Sequence, residues 1–286
     1  MSSTDSSGPI VVPLDGSKHA ENALPQAALL SRLYGAKVEF VHVVDRDAAV
    51  GSEEFARAKE VFAEYAAGVA ARWDIAQHEA RTLKGSAAAV ILEAAATASF
   101  VVIATHGYGG FRAMFIGSVA DKVARGATVP VILIPGIGGP IPLDPSRVVL
   151  VGLDGSEAAE KGLRLAREIG KKLGAPIALI RAWTIPVPAT ASAFAYDYYP
   201  TQDVIDSLGT DAEEYIARTA LPGEKLLCVQ GPAATMIADA ATHLNAGLVV
   251  VASSGKGLAA RVALGSTTAE LMHSLHRPLL IVPTSE

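Results

Sequence analysis

Cysteine is almost missing from the sequence: Cys228 stands alone among 286 residues. It can form no intrachain disulfide and no cysteine cluster for a metal, which fits a reducing compartment. Aromatic residues are also few, at 6%, and no long run of Lys and Arg occurs. With a formal net charge of −5, the chain lacks the clustered positive charge through which proteins hold nucleic acid or anionic lipid, so neither is expected as a partner. No uninterrupted apolar stretch reaches the length that spans a bilayer. The opening "MSSTDSSGP" has neither the basic start nor the apolar block of a signal peptide. The expectation is a soluble, cytoplasmic chain. Half of its residues are apolar, which excludes a disordered polymer.

What is present is a repeat. "VVPLDGSKHAENAL" from Val11 returns as "LVGLDGSEAAEKGL" from Leu150, aligning Asp15, Gly16 and Ser17 with Asp154, Gly155 and Ser156. "ATHG" from Ala104, nine residues, then Gly117 and Ser118, matches "ASSG" from Ala252, nine residues, then Gly265 and Ser266. The endings "VPVILIP" from Val129 and "RPLLIVP" from Arg277 agree as well. The period is far longer than that of a solenoid, so each copy is expected to be a complete domain. "GIGGPIPLDPS", residues 136–146, is too rich in Gly and Pro for a helix or a central strand. It sets the expected boundary, with domains over 1–140 and 141–286.

Within the first copy, strands are expected over Ile10–Leu14, Lys37–Val44, Ala76–Leu83, Phe100–Ala104 and Val131–Ile134. Helices are expected over Lys18–Tyr34, Glu53–Arg72, Ala87–Thr97 and Ser118–Arg125, with Pro25 kinking the first or shifting its start. "FVVIA" and "LVVVA" are apolar at successive positions, as in strands covered on both faces of a parallel sheet. The βαβα alternation implies an α/β fold: two tandem doubly wound, Rossmann-like domains, each a five-stranded, mostly parallel sheet with helices on both faces.

Ligands of such sheets gather beyond the carboxyl ends of the strands, where strand order reverses. Asp15 and Gly107 both lie just past strand ends. Gly107 lets backbone N–H groups approach a phosphate, and Gly117 with Ser118 opens a helix whose N-terminus attracts anions. The Ser118 hydroxyl adds a donor or caps that helix. Two familiar phosphate loops are lacking. No G-x-x-x-x-G-K-[ST] occurs, and in "GYGGFR" Arg112 stands where the third glycine of G-x-G-x-x-G belongs.

These residues resemble the universal stress protein family, in particular its tandem type. Its ATP-binding members carry G-x-x-G, nine residues, then G-[ST], with an aspartate ending the first strand. The resemblance covers nearly all of both copies, with alanine at the first glycine of the pattern in each. It implies the family's adenine-nucleotide alpha hydrolase-like fold and ATP, with Mg2+, as cofactor. The site residues so implied in the first copy are Pro13, Asp15, Val43, Ala104, Gly107, Gly117, Ser118 and Val119. In the second they are Gly152, Asp154, Ala182, Ala252, Gly255, Gly265, Ser266 and Thr267. Pro13 and Val43 would line the adenine slot and Asp15 and Asp154 the ribose or adenine end. Family members pair their last strands antiparallel, so the copies would form an internal pseudo-dimer, and whole chains would associate further as a homodimer.

Plainer readings stand beside these. Asp15 is a ligand contact, a helix cap, or both. His106 has Ser254 as its counterpart and reads as a loop residue, His42 as a packed strand residue aligned with Arg181, and Cys228 as a core filler. "TIPVPATASAFAYDYYP", Thr184–Pro200, is a lid, a partner surface or a loop packed on its own domain. Three functions fit: a nucleotide-dependent stress or signalling module with little or no hydrolysis, a slow ATPase or transferase, and a pseudo-dimer that binds no nucleotide. Arg112 aligns with Ala260 and Lys256 with Tyr108, so no carboxylate or lysine is matched in both glycine loops and efficient phosphoryl transfer is not expected.

Overall fold

The computed structural model describes residues 8–44, 52–105, 116–136, 143–185, 201–254 and 264–284. The first copy runs β1 (Ile10–Pro13), a 3-10 turn (Ala20–Ala23), α1 (Leu24–Tyr34), β2 (Val38–Val44), α2 (Glu53–Arg72), β3 (His78–Lys84), α3 (Ala87–Ala95), β4 (Phe100–Ala104), α4 (Ser118–Gly126) and β5 (Val131–Ile134). The second follows the same order: β6 (Val149–Gly152), α5 (Glu157–Leu173), β7 (Ile177–Trp183), α6 (Gln202–Thr219), β8 (Lys225–Gln230), α7 (Ala233–His243), β9 (Leu248–Ala252), α8 (Ser266–Ser274) and β10 (Leu279–Val282).

The fully apolar strands β4, β5, β9 and β10 are buried at every position, as strands with helices on both sides must be. The first expected helix is the main departure. Its opening stretch is the 3-10 turn, and α1 proper begins at Leu24 with Pro25 in its first turn. A proline is accommodated there because the first-turn N–H groups have no intrahelical acceptor. β1 also stops at Pro13, one residue short of the expected end.

Among the described residues, ten strands form one sheet in the order β3-β2-β1-β4-β5-β10-β9-β6-β7-β8. Strands within each copy are parallel. The copies meet where β5 and β10 run antiparallel, Leu279 opposite Leu133, Leu280 opposite Ile132 and Ile281 opposite Val131. The expected internal pairing of the last strands is therefore present. It follows that the carboxyl ends of the two sets of parallel strands point in opposite directions.

Each sheet face carries a core that continues across both copies. On one, Leu30 and Phe62 of the first copy join Leu163, Ile169 and Ile216 of the second. On the other, Ile91 and Val123 join Ile237 and Leu271. Among the described residues, β3 and β8 end the sheet. Cys228 lies on β8 and is half-buried, not a core filler as expected: an edge strand has a neighbour on one side only. Among the described residues, no helix is long and apolar enough to cross a membrane.

Candidate functional site

In each copy the chain adds β2 and β3 on one side of the first strand and the last two strands on the other. Strand order thus reverses between β1 and β4, where Ile10 pairs with Phe100, and between β6 and β9, where Val149 pairs with Leu248. Such a reversal splays the following loops apart and leaves a crevice at the strand ends.

One wall is the turn after the first strand. Asp15 Oδ1 accepts the N–H of Ser17 at 2.9 Å and Asp154 Oδ1 that of Ser156 at 2.8 Å. Between them Gly16 and Gly155 have φ of 82° and 78°, a left-handed conformation suited to glycine. The serines bond the N–H three residues on: Ser17 Oγ accepts that of Ala20, at the start of the 3-10 turn, and Ser156 Oγ, at the N-cap of α5, that of Ala159, both at 3.1 Å. Asp15 is therefore a turn-forming residue, not the cap. Both aspartates lie just past the strands at which the order reverses, Asp15 exposed and Asp154 half-buried.

The other wall is a helix N-terminus. Ala104 and Ala252 end β4 and β9 and are buried, paired with Ile134 and Val282, so the alanines at the first pattern position pack into the cores. Gly107 and Gly255 lie outside the described residues, as do His106, Tyr108, Arg112, Lys256 and Ala260. The chain returns at Gly117, whose N–H donates to the Thr105 carbonyl at 2.6 Å; Gly265 does the same to Ser253 at 2.7 Å. Both glycines are N-caps, so Ser118 and Ser266 are the first helical residues and Ser118 is not the cap. A glycine N-cap has no side chain to satisfy the first-turn N–H groups, which leaves them for a ligand or water. Ser118 and Ser266 are exposed and Val119 and Thr267 half-buried at this opening. Asp121, in the first turn of α4, is paired with Arg125 at 3.0 Å.

Pro13 and Val43 are half-buried and fall on one sheet face: their alternate neighbours Val11 and Val41 pack in the core that contains α3 and α4. The second copy differs here. A Cβ on Gly152 would meet Ile237 Cδ1 at 3.0 Å and Val251 Cγ1 at 3.3 Å, so helix α7 has closed over the space of the missing side chain. Ala182, opposite Val229, presents a smaller surface than Val43.

On the opposite face, a polar side chain of the second strand supports the acidic turn in each copy. His42 Nδ1 donates to the Leu14 carbonyl at 2.9 Å and the ring stacks on Phe62 at 5.0 Å; packing is its role, as expected. Arg181 Nη1 donates to the Leu153 carbonyl at 3.1 Å, with its guanidinium over the Tyr215 ring at 5.5 Å. The hydroxyl of Tyr65 donates to Glu21 Oε1 at 2.9 Å and Arg72 to Glu21 Oε2 at 2.7 Å. Burial, then Glu21, pushes the Tyr65 hydroxyl pKa far up. These supports were not read from the sequence as such, although aligned polar positions ahead of the slot, His42 and Arg181, mark them.

The fold and its crevices define a tandem Rossmann-like α/β protein. The family model described as "Universal stress protein family" matches residues 7–135 and 145–283, and the chain belongs to that family. A universal stress protein of Mycobacterium tuberculosis is 24% identical over 297 aligned positions, covering 96% of this chain and 97% of its own length. One from Thermus aquaticus is 31% identical over 136 positions, 44% of this chain and 96% of its own. The crystal structure of a universal stress protein from Archaeoglobus fulgidus superposes with a TM-score of 0.71 at 18% identity, covering 97% of this chain and 98% of that one, and shares its fold.

Proposed function

We propose that each copy binds an adenine nucleotide, ATP with Mg2+, and that the chain acts as a nucleotide-dependent stress-response or signalling module with little or no hydrolysis. The observation that carries this reading is the glycine-capped helix N-terminus, docked by its own N–H on the residue after the fourth strand and set across the switch point from an acidic turn. It occurs in both copies. Phosphates suit the first-turn N–H groups of α4 and α8. The ribose or base suits Asp15 and Asp154, with Pro13 and Val43, or Gly152 and Ala182, beside the base.

The donor set fits the triphosphate better than it fits a free cation. Asp121 is engaged by Arg125 and the first turn of α8 has no acidic residue, so Mg2+ would be carried by the phosphate oxygens. Domain boundaries at 140 and 141, and association of whole chains as a homodimer, belong to the same proposal.

Purified protein, denatured and analysed for released nucleotide, should yield ATP. Millimolar Mg-ATP should raise the melting temperature, since a ligand of the folded state stabilises it by mass action. No bound nucleotide and no shift would sink the proposal. Hydrolysis should stay below one turnover per second; faster steady turnover that is lost on changing the glycine loops would make the chain an ATPase.

A further inference from the structure

Thr105 and Ser253 directly follow β4 and β9, at the foot of each glycine loop. The N–H of Thr105 donates to Ile134 at 2.8 Å, and its carbonyl accepts from Gly117 at 2.6 Å. The N–H of Ser253 donates to Val282 at 2.8 Å, and its carbonyl accepts from Gly265 at 2.7 Å. Their hydroxyls add a third bond, also in both copies: Gly136 N–H donates to Thr105 Oγ1 at 3.1 Å, and Thr284 N–H to Ser253 Oγ at 3.2 Å.

The chemistry explains why a hydroxyl is needed. Pro135 and Pro283 follow β5 and β10, and proline has no N–H to continue the ladder. The next N–H, at 136 or 284, must find an acceptor off the ladder. The acceptor is retained although the side chain is Thr in one copy and Ser in the other. In the first copy the bonds extend further: the Gly136 carbonyl lies 3.2 Å from His19 Nδ1, four residues past Asp15, where the second copy has Ala158.

We infer that Thr105 and Ser253 are positioning residues for the nucleotide sites, each hydroxyl clasping the segment after the last strand so that the carbonyl holding Gly117 or Gly265 stays aimed. The inference rests on the adenine-nucleotide reading above. The clasp acts on the helix N-terminus through the backbone at 105 or 253. Without the hydroxyl, the N–H at 136 or 284 loses its partner, the peptide at 105 or 253 can tilt, and the glycine N-cap moves with it.

The test uses the full chain carrying Gly265→Val, so that only the first site binds, and a fluorescent ATP analogue with Mg2+ as probe. Thr105→Val, which keeps the shape and removes the acceptor, should weaken binding about tenfold, the scale of one lost hydrogen bond. Thr105→Ser should restore parental affinity. In nucleotide-free protein, amide exchange at Gly117 should quicken in Thr105→Val and not in Thr105→Ser. Ser253→Ala in a Gly117→Val background is the mirror experiment, should Thr105→Val not fold. Parental affinity in Thr105→Val, or equal loss in Thr105→Ser, overturns the inference; so does faster exchange at Gly136 with Gly117 unchanged. If the parent chain binds no analogue, the nucleotide reading itself has failed, and exchange at Gly117 alone then decides whether the clasp exists.

Discussion

Gly117 is set by distance rather than by torsion. Its φ of −62° is open to any residue, but a Cβ there would stand 3.0 Å from the Thr105 carbonyl oxygen, a contact so tight that the backbone at 105 must give way by a few tenths of an ångström. A β-branched residue would push the helix start off its anchor. Gly117→Val should therefore empty the first site, and Gly265→Val, at the glycine anchored in the same way to the Ser253 carbonyl, the second, each variant keeping about half the parental ATP if the sites are independent. Bound ATP per folded chain, with circular dichroism to confirm folding, is the measurement; parental ATP in both folded variants would remove these glycines from the phosphate sites. Such residues were legible because the chain states its pattern twice, and chance seldom aligns Asp15, Gly117 and Ser118 with Asp154, Gly265 and Ser266. Roles were less legible than positions. Aspartate and serine are both good caps by type, and only the geometry gives Asp15 and Asp154 the turn and Ser156 the cap of α5. The work of the Thr105 hydroxyl depends on an N–H that Pro135 displaces, a relation between segments thirty residues apart in sequence.

Elements were legible where the pattern is unambiguous: the long amphipathic α2 and the continuously apolar β4 and β5 match their expected bounds. Strand order was legible only in part: the pairing of the last strands came with the family resemblance, but alternation reveals strands and not which of them ends the sheet, and Cys228 was misplaced for that reason. The helices also carry restraints specific to one copy. Arg167 on α5 grips Glu224, in the turn before β8, through Nε and Nη2 at 2.7 and 2.8 Å, and Glu224 also accepts the Leu221 N–H at 2.8 Å. Ala28 occupies the aligned position in the first copy. Burial alone would raise the Glu224 pKa, but Arg167 and the Leu221 N–H outweigh it and hold the carboxyl below its ordinary 4.5. A depressed folded pKa stabilises fully above the unfolded value and is lost as pH falls through the folded one. Glu224→Gln should cost about 2 kcal/mol near neutrality, the scale of hydrogen bonds to a charged group. Urea midpoints of parent and variant should converge as pH falls below about 4.5; a gap that persists in acid would mean that the pair contributes nothing through charge.

At the scale of the whole molecule, the β5–β10 seam makes two copies into one sheet and two continuous cores. Leu280, fully buried opposite Ile132 at the middle of the seam, should cost about 2–5 kcal/mol when truncated to Ala. Trp73 reports on the first copy and Trp183 on the second, the chain's two tryptophans. With either one replaced by Phe, fluorescence of the other should give the same denaturant midpoint, and Leu280→Ala should lower both together. Separate midpoints in the parent would show that the copies unfold independently despite the shared sheet. The antiparallel seam also sets valency. Because the strand ends of the two copies face away from each other, one small ligand cannot bridge both crevices. A partner that recognises an occupied crevice meets a bivalent molecule with its two heads back to back. Binding of a monovalent partner would saturate at two per chain, whereas a divalent partner too short to reach round the sheet would link chains in series without the gain of an intramolecular second contact.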